Sequence, residues 1–327
     1  MSAHGVKSTI LVADIGGTTC RFAVIGPDGR PERVIRFPNR EVADMAAAIL
    51  RYVAEAGVQP QAGVLAVAGP VDGDEITLTN RAWHFRLSEL RTSIGFSQLH
   101  AINDFAAVAW ALPALRSDDL WPIGGTTTCG PGVRVAYGPG TGLGVAALIP
   151  DNGGWRVFPS EGGHVSFGPA DAAEEPIFTR LRALTGAISA ETVLLGPGLT
   201  RLHGALHPDA APLGSEEILA HAKTGEKASG AKAAMFVRLL GRFAGDLALT
   251  FKAAGVYLAG GVGYGLAGLI DAREFRQAFE AHPPYERLLA SVPTFLITER
   301  APGLIGCAAY AAHMIGPEVA GSMVRSE

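Results

Sequence analysis

The chain has 327 residues, of which 48% are hydrophobic and 18% charged, with a formal net charge of −4. This is a globular composition, and the length exceeds the roughly 250–300 residues at which a single core stops growing, so two lobes are expected. A slightly acidic chain with scattered Lys and Arg is a poor ligand for phosphate backbones, which excludes nucleic acid as the main partner.

The N-terminus, MSAHGVKS, is short and polar and runs directly into an apolar strand, without the layout of a secretory signal. The longest apolar run, 105–115, is too short to span a bilayer and contains Pro113, so no membrane partner is expected. Cys20, Cys129 and Cys307 lie far apart with no CxxC pair, so they are read as ordinary thiols of a reducing cytoplasm.

In chain order, 8–14 reads as a buried strand ending at Gly16-Gly17, 20–25 as a second strand, and 33–37 as a third after the turn Gly26-Pro27-Asp28-Gly29. Val42, Met45, Ala46, Ile49, Leu50 and Val53 recur at helical spacing, with Gly57 just beyond as a stop signal. Short strands follow at 64–68 and 99–102, and from Phe105 the pattern is helical up to Pro113. The opening then recurs: a strand at 133–137, a Gly-rich turn at 138–142, a strand at 143–148, the tight turn Asp151-Asn152-Gly153-Gly154 and a strand at 155–158. The Gly-Thr step of Gly17-Thr18 returns at Gly140-Thr141, so Thr18 and Thr141 are 123 residues apart. This predicts two related α/β lobes, each with a Gly-rich hairpin of phosphate size. A long helix through Phe236, Leu240, Phe243 and Leu247, a strand at 256–258 running into Ala259-Gly260-Gly261, and a strand at 295–297 before a final helix complete the pattern. Residues 201–232 are expected to be surface loops around a short helix that Ser215 caps.

The P-loop GxxxxGK[ST], HExxH and GxSxG are all absent, and Gly138/Gly140 lead into a strand, unlike a dinucleotide fingerprint. What is present is DIGGTTCR (14–21) at a strand–turn–strand junction. Glycines there let backbone N–H groups cradle an anion, Thr18 offers a hydroxyl, and Asp14 either holds Mg²⁺ through water molecules or caps the turn. Gly138–Gly144 is the matching hairpin, and Gly260-Gly261 suits close backbone approach to a nucleotide. Asn103-Asp104 stand where a strand gives way to a helix; such a carboxylate can accept a hydroxyl proton, and either residue can cap the helix. Glu161-Gly162-Gly163-His164 and Glu191 can take paired hydrogen bonds from sugar hydroxyls, or form an ordinary salt-bridged cluster.

Together with LAVAGPVDGD (65–74), LTNRAW (78–83), INDFAAVAWALP (102–113), GPGTGLGVA (138–146), SEGGHVSF (160–167), SAETVLLGPGL (189–199), LAGGV (258–262) and PGLIGCAAY (302–310), these pieces resemble the bacterial glucokinase family of the actin-like (ribonuclease H-like) ATPase fold. The resemblance runs from Ile10 to about His313. It implies two α/β lobes with a deep interlobe cleft, a small lobe of 1–112 plus 304–327 and a large lobe of 113–303. It also implies Asp104 as catalytic base, and Asn103, Glu161, His164 and Glu191 as glucose ligands. Asp14, Gly16, Gly17, Thr18, Gly140 and Thr141 match phosphate-loop positions, and Gly260 and Gly261 the nucleotide-side turn. ATP with Mg²⁺ and a homodimer follow from the same likeness.

Thr19-Cys20 stand where the family more often has Asn-Ala, and Pro139 replaces a small residue. No cysteine follows Val165-Ser166-Phe167-Gly168, so the structural zinc of the related repressor/kinase family is not expected. The alternatives are a kinase for another hexose such as mannose or fructose, a sugar-sensing regulator, and an actin-like ATPase or phosphatase with no sugar substrate.

Overall fold

The computed structural model describes residues 9–78, 83–140, 142–224, 227–260 and 268–315. The chain divides into two compact units, Met1–Leu115 with Glu299–Glu327, and Arg116–Thr298.

The first unit opens with β1 (Thr9–Ile15), β2 (Thr19–Ile25) and β3 (Pro31–Pro38), then α1 (Met45–Ala56) and β4 (Pro60–Val67). A small hairpin of β5 (Glu75–Thr77) and β6 (His84–Arg86), α2 (Leu87–Ile94), β7 (Gln98–Asn103) and α3 (Asp104–Ala111) follow. The sheet order is β3-β2-β1-β4-β7, antiparallel from β3 to β1 and parallel from β1 to β7. Central β1 is covered on both faces, which is why its sequence is a continuous apolar run interrupted only by Asp14. Alternate residues point to opposite faces: Leu11, Ala13 and Ile15 join Met45, Ile49 and Tyr52 of α1 in one core. The opposite face, which carries Asp14, is covered by the Pro302–Met314 helix, which also packs on α3. Helix α1 starts and stops on local signals: the Asp44 side chain accepts from Ala47 N at 2.8 Å, and Gly57 closes the end at φ 62°.

The second unit has β8 (Leu120–Gly124), β9 (Arg134–Pro139), β10 (Leu143–Asp151), β11 (Gly154–Ser160), β12 (Gly255–Leu258) and β13 (Thr294–Ile297) in the order β11-β10-β9-β12-β13-β8. Leaving aside edge strand β8, both the order and the directions repeat those of the first sheet: two antiparallel steps, then two parallel ones. The faint Gly-Thr repeat of the sequence is thus a repeat of topology. Its helices are α4 (Glu175–Thr185), α5 (Ala190–Leu194), α6 (Gly196–Leu206), α7 (Ser215–Lys223), α8 (Lys227–Phe251), α9 (Ala272–Glu280) and α10 (Glu286–Ser291). Phe236, Leu240, Phe243 and Leu247 of α8 lie in the core with Val135, Tyr137 and Val145 of the sheet, and the Tyr137 hydroxyl donates to Leu240 O at 3.3 Å.

The expectation of loops across 201–232 is corrected: the described part of that stretch is mostly helix, in α6, α7 and the start of α8. Its polar and Gly/Ser-rich surface hides a few buried anchors, Leu199, Leu202 and Ala205 in α6 and Ile218 and Ala222 in α7, and these dock the short helices. Ser215 is the first residue of α7 and Gly214 its N-cap. No helix among the described residues is long and apolar enough to cross a membrane, and none of the three cysteines forms a disulfide.

Candidate active site

In the first unit, β1 delivers Asp14 to the mouth of the β1–β2 hairpin, opposite Arg21 in the strand register. Arg21 Nη1 donates to Asp14 Oδ2 at 3.1 Å. Burial nevertheless pushes the Asp14 carboxyl above its ordinary pKa, against the lowering effect of Arg21. Beyond Asp14, Gly16 N donates to Thr19 O at 3.0 Å and closes the turn that carries Gly16, Gly17 and Thr18.

Asn103 and Asp104 stand at the carboxyl end of β7, where α3 begins. Asn103 is the N-cap: its Oδ1 accepts from Phe105 N at 2.9 Å and Ala106 N at 3.1 Å, and its Nδ2 donates to Gly69 O at 3.1 Å. Asp104 is the first residue of the helix, and its Oδ1 accepts from Phe105 N at 2.9 Å. Its pKa is raised to about 6, first by burial and then by the negative charge of Asp14; hydrogen bonds from the helix start and from Asn103 oppose the rise. Two acidic groups predicted from motifs 90 residues apart thus act on one another, and the N-cap of α3 is Asn103, not Asp104.

In the second unit, the segment after β11 holds Glu161 and His164 around a short 3-10 turn, Gly162–His164. Glu191 comes from the first turn of α5, whose start is capped by Ser189 accepting from Thr192 N. The His164 imidazole lies between both acids, its Nε2 at 3.8 Å from Glu161 Oε2 and 3.9 Å from Glu191 Oε2. Glu161 and His164 are open to solvent, with side chains 80% and 59% exposed. Glu191 Oε2 also accepts from Leu143 N at 2.8 Å, at the exit of the second Gly-rich hairpin. Gly163 packs so tightly on β10 that an added Cβ would overlap the Leu143 carbonyl oxygen.

The same unit unites two segments that are remote in sequence. β9 and β12 are parallel neighbours, and Ala259 N donates to Tyr137 O at 2.8 Å. Gly138 lies against the Ala259 carbonyl, and Gly260, at φ 96°, against that of Pro139, with room for no side chain at either. Gly140 N donates to Gly142 O at 2.8 Å. Thr141 and Gly261 lie outside the described residues.

Sequence motifs missed three supports. Asn39, 3% exposed, holds the first hairpin. Arg242 of α8 donates to Glu174 Oε2 and to Gly168 O, each at 2.6 Å, with its guanidinium 4.2 Å from the Phe167 ring centroid, bracing the stretch just after His164. Glu174, 2% exposed, receives Arg242 and faces Arg238 at 3.4 Å. A polar residue buried among polar neighbours in sequence leaves no periodic signal, so only the fold reveals these three.

The family model described as Glucokinase matches residues 11–314. A glucokinase of Chelativorans sp. is 40% identical over 312 residues, which is 92% of this chain and 91% of that protein. The chain belongs to the glucokinase family. Among solved structures, the glucokinase of an Antarctic psychrotroph superposes with a TM-score of 0.85 at 33% identity, covering 94% of this chain and 99% of that one. A ROK family glucokinase from Streptomyces griseus, in complex with glucose and AMPPNP, superposes with a TM-score of 0.66 at 21% identity, covering 94% and 100%, a likeness of fold. The mixed α/β architecture with its paired sheet orders is therefore that of glucokinases.

Proposed function

We propose that this protein is a glucokinase that transfers the γ-phosphoryl group of Mg-ATP to the 6-hydroxyl of glucose. The observation that carries the reading is Asp104: a half-buried carboxylate with a raised pKa at a strand–helix junction, in a chain of the glucokinase family. A base whose pKa lies just below the working pH is ionised yet basic enough to take a proton in the transition state. The attacking hydroxyl passes its proton to Asp104 as the oxygen–phosphorus bond forms and the bond to ADP breaks, so no other acceptor is needed.

In this reading Asn103, Glu161, His164 and Glu191 hold the sugar hydroxyls, and two lobes, 1–112 with 304–327 and 113–303, bring them to one interlobe cleft. Gly16, Gly17, Thr18, Gly140 and Thr141 receive phosphate oxygens, and Gly260 and Gly261 the nucleotide side. Asp14 suits Mg²⁺ arriving with ATP as an outer-sphere partner: one of its oxygens is engaged by Arg21, and no cluster of three or more His, Cys, Asp or Glu among the described residues forms a protein cage. Mg²⁺ offsets phosphate charge. The reading includes a cytoplasmic homodimer, which light scattering after size exclusion tests.

The decisive assay couples ADP formation from Mg-ATP to a reporter, with glucose, mannose, fructose and N-acetylglucosamine compared at equal concentration. Preference for glucose is expected, and failure with all four overturns the reading. A second prediction concerns the clamp. Gly163→Ala must shift the loop between Glu161 and His164, and hydrogen bonds to charged groups are worth about 1.5–3 kcal/mol, so KM for glucose is expected to rise roughly 10–100-fold.

A further inference from the structure

The Gly16–Thr18 turn is held from behind by a residue that belongs to none of the motifs. Asn39 lies 23 residues beyond Gly16, at the start of the 3-10 helix Asn39–Glu41, and is buried. Its Nδ2 donates to Gly16 O at 2.8 Å and its backbone N–H to Thr18 O at 2.9 Å. Its Oδ1 accepts from Cys20 Sγ at 2.9 Å. A buried amide is tolerated only when paired, so side chain and turn specify one another.

The consequence follows from peptide geometry. A trans peptide is planar, with C=O and N–H pointing opposite ways. Holding the Gly16 carbonyl toward Asn39 turns the Gly17 N–H away from it, and holding the Thr18 carbonyl fixes the second plane of the turn. Gly16 N is already spent on Thr19 O. The carbonyls, which would repel an anion, are thus turned inward and satisfied, while the Gly17 N–H is presented outward. The Gly16 carbonyl decides which way the amide faces: it can only accept, so the NH₂ of Asn39 sits toward Gly16 and its oxygen toward Cys20, whose S–H donates to it.

We infer that Asn39 is the positioning residue of the phosphate-binding hairpin, with Cys20 as the donor that satisfies its buried amide oxygen. The inference rests on reading residues 16–18 as that hairpin. It also gives Cys20, one of the departures from the commoner family sequence, a part in nucleotide binding.

Asn39→Asp keeps the size and places a carboxylate oxygen against Gly16 O in place of the donor. KM for Mg-ATP is expected to rise at least tenfold and AMPPNP affinity, measured calorimetrically, to fall by the same factor, while KM for glucose stays within about twofold. If that variant does not fold, Cys20→Ala and Cys20→Ser decide: Ala should raise KM for Mg-ATP severalfold, and Ser, which keeps a donor, should restore it. An unchanged KM for Mg-ATP in Asn39→Asp, or in Cys20→Ala where that stands in, overturns the inference. So does an equal rise of both KM values, which marks a general structural lesion. Failure of the wild type itself to bind AMPPNP overturns the hairpin reading beneath it.

Discussion

Asp104→Asn is expected to lower kcat by about 10²–10⁴-fold and, at the same time, to make the protein more stable. Asparagine keeps the Oδ1 that accepts from Phe105 N and keeps the shape, so glucose binding should persist while the proton acceptor is lost. The stability gain comes from the same cause as the activity. Burial and the Asp14 charge raise the Asp104 pKa from 3.8 to about 6, so the folded state holds a proton that the unfolded chain releases between those values. Stability from this group is full below the unfolded pKa and is lost as pH rises through about 6. At neutral pH the penalty is on the order of 1–3 kcal/mol, after allowance for solvent at a partly exposed carboxylate. The melting temperature of Asp104→Asn should therefore exceed that of wild type at pH 7.5, and the gap should narrow toward pH 5. For the wild type, kcat/KM is expected to climb with pH through about 6 and then level off. Turnover above a tenth of wild type would remove Asp104 as base, and a lowered melting temperature would remove burial as the cause of its pKa.

Gly306→Ala is expected to damage both stability and activity. Gly306 lies inside the Pro302–Met314 helix, where alanine alone would gain about 1 kcal/mol in helix propensity. Here the added Cβ would overlap the Ala107 carbonyl oxygen of α3. The two helices must separate, and α3 begins with Asp104, so that carboxylate shifts relative to Asp14. Overpacking of this kind costs about 1–3 kcal/mol or more, so a fall in melting temperature of roughly 3–10 °C with a loss of kcat is expected. Gly204→Ala in α6 is the control: nothing lies within 4 Å of the added Cβ, and a small rise in melting temperature is expected from propensity alone. Equal behaviour of the two variants would show that helix contact at Gly306 does not matter.

The sequence by itself determined most of the strands, though not β5, β6 or edge strand β8, together with the stop of α1 and the repeat, because each depends on neighbours along the chain. β1 is apolar on both faces because both are covered, and Gly57 ends α1 because only a left-handed residue closes it there. The same local chemistry marked Asp104, Glu161, His164 and Glu191 as chemistry-bearing residues. Tertiary structure alone decided which of Asn103 and Asp104 caps α3, since both residue types suit the position and only the observed bonds distinguish them. It alone turned 201–232 into helices, because the buried apolar residues of that stretch, such as Leu202, Ala205, Ile218 and Ala222, are few and leave too weak a periodic signal. It alone joined Gly138 to Ala259 and Asn39 to Gly16, contacts whose partners are 121 and 23 residues apart in sequence. Such pairings depend on where the sheet brings two backbones together, and side-chain spacing along one strand carries no record of it.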